Sequence, residues 1–585
     1  MSAQAEYNLW LNNGYFDEET RQELKDIAKK EIDDRFFGNL KFGTGGLRGV
    51  MGAGINRMNR YTVRKASQGL ANYLLAKDAN AKEKGIVIAY DSRHKSQDFA
   101  FEAARVFAGN GIKAYIFDEL RPTPELSFAV RYKKACAGIV ITASHNPKEY
   151  NGYKVYGDDG GQLGLYGARQ ISMAIKAITD WTTIKILDTE EAIKNGLIDI
   201  IGCEEDEAYI SRVKGLSINP DIVASAADSF RIIYTPLHGA GNKLVRRILF
   251  EIGLKGVRIV KEQEEPDPEF STVVSPNPEN REAFAMAIEL AKKENADLII
   301  GTDPDCDRIG VVVPDCNGEY VVLTGNQIGL ILLEYILSQK KMKRILPQNG
   351  FVVKTIVSTQ IANTIARSFD VELVEVLTGF KFIGEQIKAL DDLGDKDFLF
   401  GFEESNGYLA GSFVRDKDGV IASMLIAEAA VYYQSKGMTL LEGLNAIFKK
   451  YGYGAESIDS FILAGKDGMD KINYVMKMLR ENKQNLLGDF MVLKKRDYLD
   501  GMRYQKDAQK LSGLVLPKSD VLFFELHEDA WLCIRPSGTE PKLKIYCGVT
   551  GTNMEKTQKK LKALQGNVLR LINRIITERK SSRQP

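Results

Sequence analysis

The 585-residue chain is short of several things, and each shortage narrows what it can do. Its six cysteines, Cys136, Cys203, Cys306, Cys316, Cys533 and Cys547, form no CxxC pair. That argues against structural zinc and for a reducing compartment. No stretch approaches the ~18 uncharged apolar residues of a membrane span. The first residues, MSAQAEYNLWLNNGYFDEET, lack the basic-then-apolar order of a signal peptide, so a cytoplasmic protein is expected. Charge of one sign is missing too: 79 Lys and Arg against 78 Asp and Glu leave a net charge of +1. Without a basic field, neither nucleic acid nor an anionic membrane is expected as a partner. There is no GKS or GKT, hence no Walker loop and no sign of a nucleotide-using kinase.

What is present is 44% hydrophobic and 27% charged residues, enough for several cores and about four domains on length alone. Strand and helix patterns alternate from residue 60 to 450, which predicts α/β units with parallel character. Residues 8–36 read as helix, docked through Trp10 and Tyr15. After Gly161 the pattern predicts one helix and then a charged, turn-rich region to about 212. From about 451 the pattern changes to a smaller α+β domain, with strands expected at 488–493, 520–526 and 530–535. The domain borders read from these shifts are 1–210, 211–324, 325–450 and 451–585.

Four loops carry chemistry-bearing residues. The run GIVIT (138–142) reads as a buried strand ending in a polar, Gly/Pro/Asn-rich segment, where α/β sheets place ligands. Ser144, His145 and, soon after, Lys154 put a hydroxyl, an imidazole and an amine together. Such a turn can also be a backbone-capping loop. Upstream, LKFGTGGLRGVMGAG is glycine-rich and holds Arg48. It reads equally as a hairpin with a solvated Arg or as an anion-contacting loop with a guanidinium fork. Asp91 and Arg121 follow two other strands and are expected on the same sheet edge as Ser144.

In ADLIIGTDPDCDRIGVVV, a strand leads into Asp303, Asp305 and Asp307 at i, i+2 and i+4. Three carboxylates so placed can converge on one hard cation such as Mg²⁺, and would repel one another without it. The alternative is a solvated acidic turn. The EF-hand pattern is absent. In the third unit a strand ends in TGFKFIG, and another, 398–401, runs into FEESNGY. There Glu403, Glu404, Ser405 and Asn406 are matched to sugar hydroxyls, or alternatively cap the next helix. DKDG (416–419) introduces a core helix, 420–432. Finally WLCIRPSGTEPKLKIYCG offers Arg535, Ser537, Gly538, Thr539 and Lys544, a cradle for a dianionic phosphate or a hairpin with surface cations.

TASHNP, DPDCDR, GFEESNGY and RPSGTEP, in this order and spacing, resemble the α-D-phosphohexomutase family over nearly the whole chain, and most of all its long bacterial phosphoglucomutases. The resemblance implies three similar α/β domains plus a smaller C-terminal α+β domain around a central cleft. It implies an intramolecular phosphotransferase that interconverts glucose 1-phosphate and glucose 6-phosphate through glucose 1,6-bisphosphate. By the same resemblance Ser144 is the phosphoserine, and Asp303, Asp305 and Asp307 hold Mg²⁺ together with a phosphoserine oxygen. Arg48 and His145 flank the reaction, and either Lys154 or His145 carries the proton. Glu403, Ser405, Asn406, Thr378, Gly379, Lys381 and Arg308 are candidate substrate contacts, and Arg535, Ser537, Gly538, Thr539 and Lys544 grip the non-reacting phosphate. One departure stands out: Asn406 lies between Ser405 and Gly407, where hexose enzymes often read GE-x-SG. Sugar choice among glucose, mannose and pentose is therefore open, as is oligomeric state, monomer or dimer. A phosphatase and a non-catalytic sugar-phosphate sensor are the rival classes.

Overall fold

The computed structural model describes residues 2–463, 468–481, 486–487, 489–505, 510–537 and 542–581. The chain forms two compact units, residues 1–353 with 379–441, and residues 354–378 with 442–585.

In the first unit, six strands make one mixed sheet: β1 (Leu47–Val50), β2 (Ile86–Tyr90), β3 (Ala114–Phe117), β4 (Ala137–Ile141), β5 (Tyr150–Gly157) and β6 (Ile198–Ile201), in the order β1-β5-β4-β2-β3-β6. Strands β2, β3, β4 and β6 run parallel, while β5 and β1 add antiparallel at one edge. The strand sequences IVIAY and AGIVI are apolar throughout because both faces are covered. Successive side chains take opposite faces. Ile86 and Ile88 pack with Leu70, Phe99 and Ile171 from the helices Arg60–Lys77, Ser96–Gly109 and Leu165–Ala177. Val87 and Ala89 face Leu126 and Val130 of the helix Thr123–Tyr132.

Two expectations change here. The single helix expected over 8–36 is three, Ala3–Asn12, Glu18–Asp26 and Lys29–Phe36. A break falls at Asp17, whose carboxylate accepts the Thr20 N–H and caps the second helix. Trp10 is fully buried among Phe16, Phe36, Tyr61 and Trp181. The region read as turn-rich up to 212 holds β6 and the helix Cys203–Lys214. The strand IDII was hidden by its acidic neighbour and by lying at a sheet edge, where only half its side chains are buried.

A second sheet, also in the first unit, has β7 (Ile232–Thr235), β8 (Val257–Ile259), β9 (Leu298–Thr302), β10 (Ile309–Pro314) and β11 (Tyr320–Val322) in the order β11-β10-β9-β7-β8. β9 and β10 form an antiparallel hairpin around DPDCDR. The helix Gly419–Gln434 is buried on nearly every side, as its Ala- and Leu-rich sequence predicts, and Asp418 caps its first turn.

In the second unit, seven strands of an eight-stranded sheet run in the order Tyr453–Ile462, Lys542–Gly551, Ala530–Pro536, Leu522–Leu526, Phe490–Asp497, Met502–Gln505 and Lys510–Gly513, and Leu486–Leu487 pairs with Phe490–Asp497 off that path. The helices Gly468–Glu481 and Met554–Ser581 share its core through Ile472, Val475, Leu564 and Ile572. Among the described residues no helix is long and apolar enough to cross a membrane.

Candidate active site

Because β2, β3 and β4 are parallel, their C-terminal ends open on one edge, and Asp91, Arg121 and Ser144 follow them there. Arg121 is taken up by acids of its own surroundings, Asp206 at 2.8 Å and Glu119 at 3.1 Å. Ser144 is the residue that the edge presents. Its N–H donates to Thr142 Oγ1 at 2.8 Å, and its φ of 53° is a left-handed conformation unusual for a residue with a side chain. The hydroxyl Oγ donates to Asp303 Oδ2 at 2.7 Å and lies 3.1 Å from His145 Nδ1.

Asp303 stands at the end of β9, and the hairpin loop folds back on it: the N–H groups of Asp307 and Arg308 both donate to its Oδ1 at 3.1 Å. Three carboxylate oxygens, one from each of Asp303, Asp305 and Asp307, lie within 4.8 Å of one another, all buried. Lys154, on β5, donates to Asp305 Oδ2 at 2.6 Å and reaches Asp307 Oδ2 at 3.4 Å. Thr123 Oγ1 donates to the same Asp305 oxygen at 2.9 Å. Lys417 closes on Asp307 at 3.1 Å and on Asp416 at 3.2 Å. Yet Oδ1 of Asp305 and Oδ1 of Asp307 are buried without a hydrogen-bond partner. A buried carboxylate oxygen without a partner is costly, and a hard cation is the ligand that would satisfy both.

The electrostatics follow from this crowding. Burial, then the neighbouring charges of Asp305 and Asp307, push the Asp303 carboxyl well above its usual range. Burial would also raise Asp305, but Lys154 outweighs it and holds that carboxyl low. Burial works against the charge of Lys154 and of Lys417, and in both cases the adjoining carboxylates overcome it and keep the ammonium form. His145 goes the other way. Burial, with Arg308 and Arg48 nearby, drives its imidazole well below the usual value, so the ring is neutral.

Arg48 donates to Asn146 Oδ1 at 3.1 Å, across the β1–β5 pairing that sets Arg48 opposite Gly152. Arg308 donates to Glu279 at 2.6 Å and to the Ser405 carbonyl at 3.0 Å. The segment Glu403–Asn406 is neither a helix cap nor a loose loop. It is the tight turn between the strands Asp397–Glu403 and Gly407–Leu409, with Glu403 paired to Gly407. Asn406 sits at φ 59°, the left-handed position that such three-residue turns require. Its amide donates to the Ile309 carbonyl at 2.8 Å, which ties the turn to β10. Glu403 Oε1 accepts the Gly379 N–H at 2.8 Å. Lys381 donates to Thr44 Oγ1 at 3.0 Å, joining its loop to the glycine-rich one. Thr378 belongs to the second unit.

In that second unit Arg535 and Lys544 lie directly opposite each other on paired strands. Arg535 Nη2 donates to Tyr546 Oη at 3.0 Å, and the Ser537 N–H donates to the Lys542 carbonyl at 2.7 Å. Residues directly opposite on antiparallel strands share one face of the sheet, so both cationic side chains lie on the same side. Gly538 and Thr539 lie outside the described residues.

Family models of the phosphoglucomutase/phosphomannomutase α/β/α domains I, II and III match residues 39–181, 207–318 and 324–451, and the model of the C-terminal domain matches 495–562. The chain belongs to the phosphoglucomutase/phosphomannomutase family. It is a mutase with three α/β domains and a C-terminal domain. It is 39% identical to a phosphoglucomutase of Staphylococcus haemolyticus over 88% of this chain and 91% of that one. Against a phosphoglucomutase of Staphylococcus aureus it is 38% identical over 91% and 94%. The fold is shared with a phosphoglucomutase of Paramecium in its open form, at TM-score 0.67, 18% identity and coverage of 92% and 96%. It is shared too with a family protein of Burkholderia thailandensis, at TM-score 0.64, 17% identity and coverage of 92% and 97%.

Three residues at the site were not among those expected from sequence. Lys417 lies in DKDG, read only as the start of a helix; its signal was a lysine between two acids at a buried helix entrance. Thr123 gave no signal, since its partner Asp305 is 182 positions away. Arg93 stands in the strand-end run DSRH, where polar residues were expected to face the ligand edge. It turns inward instead.

Proposed function

We propose that the enzyme interconverts α-D-glucose 1-phosphate and glucose 6-phosphate, with Ser144 as phosphoryl carrier and glucose 1,6-bisphosphate as the intermediate. The observation that carries this reading is the 2.7 Å contact of Ser144 Oγ with Asp303, inside a cluster of three buried carboxylates. Glucose is favoured among the sugars because both curated relatives cited above bear the name phosphoglucomutase.

Asp303, Asp305 and Asp307 are suited to hold Mg²⁺, since oxygen donors fit that ion and two of their oxygens lack partners. When bound, the ion supplies positive charge against the oxygens of the transferring phosphoryl group. The chain's own groups do the rest. Phosphorylated Ser144 loses its phosphoryl group to the free sugar hydroxyl: the Oγ–P bond breaks and a sugar O–P bond forms. The hydroxyl must lose a proton and Ser144 Oγ must gain one. A neutral imidazole suits the first task, which supports His145 as base. Lys154, held as an ammonium by two carboxylates, suits the second. Arg48 and Arg308 add fixed positive charge beside the reaction.

Glu403, Ser405, Gly379, Thr378 and Lys381 are the proposed sugar contacts. Arg535, Ser537, Gly538, Thr539 and Lys544 are proposed to hold the phosphate that is not reacting, an assignment supported by the cross-strand placement of Arg535 beside Lys544. The six cysteines, none in a disulfide, suit the cytoplasmic setting proposed for the enzyme. A coupled assay comparing glucose, mannose and ribose 1-phosphates, with and without glucose 1,6-bisphosphate, tests the reading. Fastest turnover on glucose 1-phosphate is expected, together with phosphate on Ser144 by intact mass. Unchanged turnover in Ser144→Ala would overturn it.

A further inference from the structure

We propose that Arg93 is a positioning residue for phosphoryl transfer, a role that rests on the phosphoserine reading of Ser144. Its guanidinium is wholly enclosed, with no exposed side-chain surface, and so is the carboxylate of Asp91, 3.3 Å from its Nε. From there the fork gathers the loop that carries the hydroxyl. Nη2 donates to the carbonyls of Ser144 and Asn146. Nη1 donates to those of Pro147 and Tyr150, at 2.8 and 3.1 Å. One side chain thus ties four carbonyls within seven consecutive residues. The first of these is the carbonyl of Ser144 itself, whose left-handed backbone would relax toward a more favourable conformation if released.

The clamp is anchored below and covered above. Asp91 accepts the Arg93 N–H at 3.0 Å and the Ser96 hydroxyl at 2.7 Å, and its own N–H donates to the Ile141 carbonyl, so the fork is referenced to strands β2 and β4. Above, the segment 267–279, which leads from β8 toward the aspartate hairpin, lies over the same loop. The Phe270 ring faces the Arg93 guanidinium at 5.0 Å. Ser275 Oγ donates to the His145 carbonyl at 3.3 Å. Glu269 receives Lys148 at 2.5 Å and lies 2.6 Å from His94. Ser144 and Asp303 come from different sheets, and their 2.7 Å contact requires both loops to be held to a fraction of an ångström. Arg93 touches no substrate or reacting atom. It acts by fixing where Ser144 Oγ points, and so decides whether the phosphoryl group meets a sugar hydroxyl or water.

Arg93→Lys tests this, because lysine keeps the charge opposite Asp91 but cannot serve four carbonyls. With full-length protein charged by glucose 1,6-bisphosphate, three quantities are read: phosphate on Ser144 by intact mass, kcat and KM for glucose 1-phosphate, and inorganic phosphate released per turnover. The expected result is unimpaired phosphate loading and KM within about twofold of wild type, with kcat down about 10- to 100-fold. Phosphate release per turnover should rise about tenfold. Phe270→Leu keeps every hydrogen bond of the clamp, and should move the same ratio in the same direction by about threefold. Wild-type kcat and phosphate release in both variants would overturn the role of Arg93. So would losses of kcat that merely track a lowered melting temperature at an unchanged release ratio. A wild-type chain that takes no phosphate on Ser144 would instead overturn the phosphoserine reading itself.

Discussion

Around Ser144 the acids Asp305 and Asp307 are buried and paired with the buried lysines Lys154 and Lys417, whereas Arg535 and Lys544 lie opposite each other at half-buried strand positions. The first arrangement is rigid before any ligand arrives: Lys154, Lys417, Thr123 and two backbone N–H groups hold the three aspartates in place. The second sets two cationic side chains across from each other on neighbouring strands. Preorganised charge suits the step in which a bond breaks. Cations at half-buried positions suit a grip that must take hold and let go.

The comparison breaks most visibly at the hydroxyl. Ser144→Ala should lower mutase turnover by more than about 10³-fold in a coupled assay, while leaving the melting temperature near wild type. Lys417→Met should strip Asp307 of a buried partner and destabilise the first unit by about 3 kcal/mol, read by denaturant unfolding without divalent ions. Added Mg²⁺ should recover part of that loss, because the cation would neutralise the same carboxylates.

The second unit has a largely buried charge cluster of its own, one carboxylate between two cations, which sharpens the contrast. Glu375 lies 2.9 Å from Lys354 and 3.0 Å from Arg496. Burial would raise its carboxyl, but the two cations outweigh it and hold the pKa at about 2. A depressed folded pKa means stability that is present above the unfolded value and lost as pH falls through the folded one. The second unit should therefore weaken between about pH 4.5 and pH 2. Glu375→Gln should cost about 2 kcal/mol at pH 7 and flatten that acid limb, measured by hydrogen exchange or denaturant midpoints across pH. The smallest effect is expected at Arg535→Lys. Loss of the planar fork should raise KM for glucose 1-phosphate about tenfold with kcat little changed.

Legibility followed sequence distance. The strands GIVIT and DLIIG announced themselves because both faces of their sheets are covered, and the acids at i, i+2 and i+4 were visible because a hairpin loop is local. The tie of Asn406 to β10 was not legible for the opposite reason: its amide is answered by Ile309, 97 positions away. Arg93 looked like one more polar strand end, and only packing shows it turned inward beneath Phe270.

The sequence by itself determined the α/β character, the four loops and their chemical inventory, since hydrophobic periodicity and residue type are written along the chain. Only the tertiary structure decided which of those side chains meet. Ser144 and Asp303 are 159 positions apart, and Lys154 and Asp305 are 151. Contacts across such distances depend on how whole sheets pack, and once made in a buried setting they push the His145 imidazole down and keep the Lys154 ammonium. That is why His145 is neutral and Lys154 charged, although sequence treated both as open candidates for the same proton.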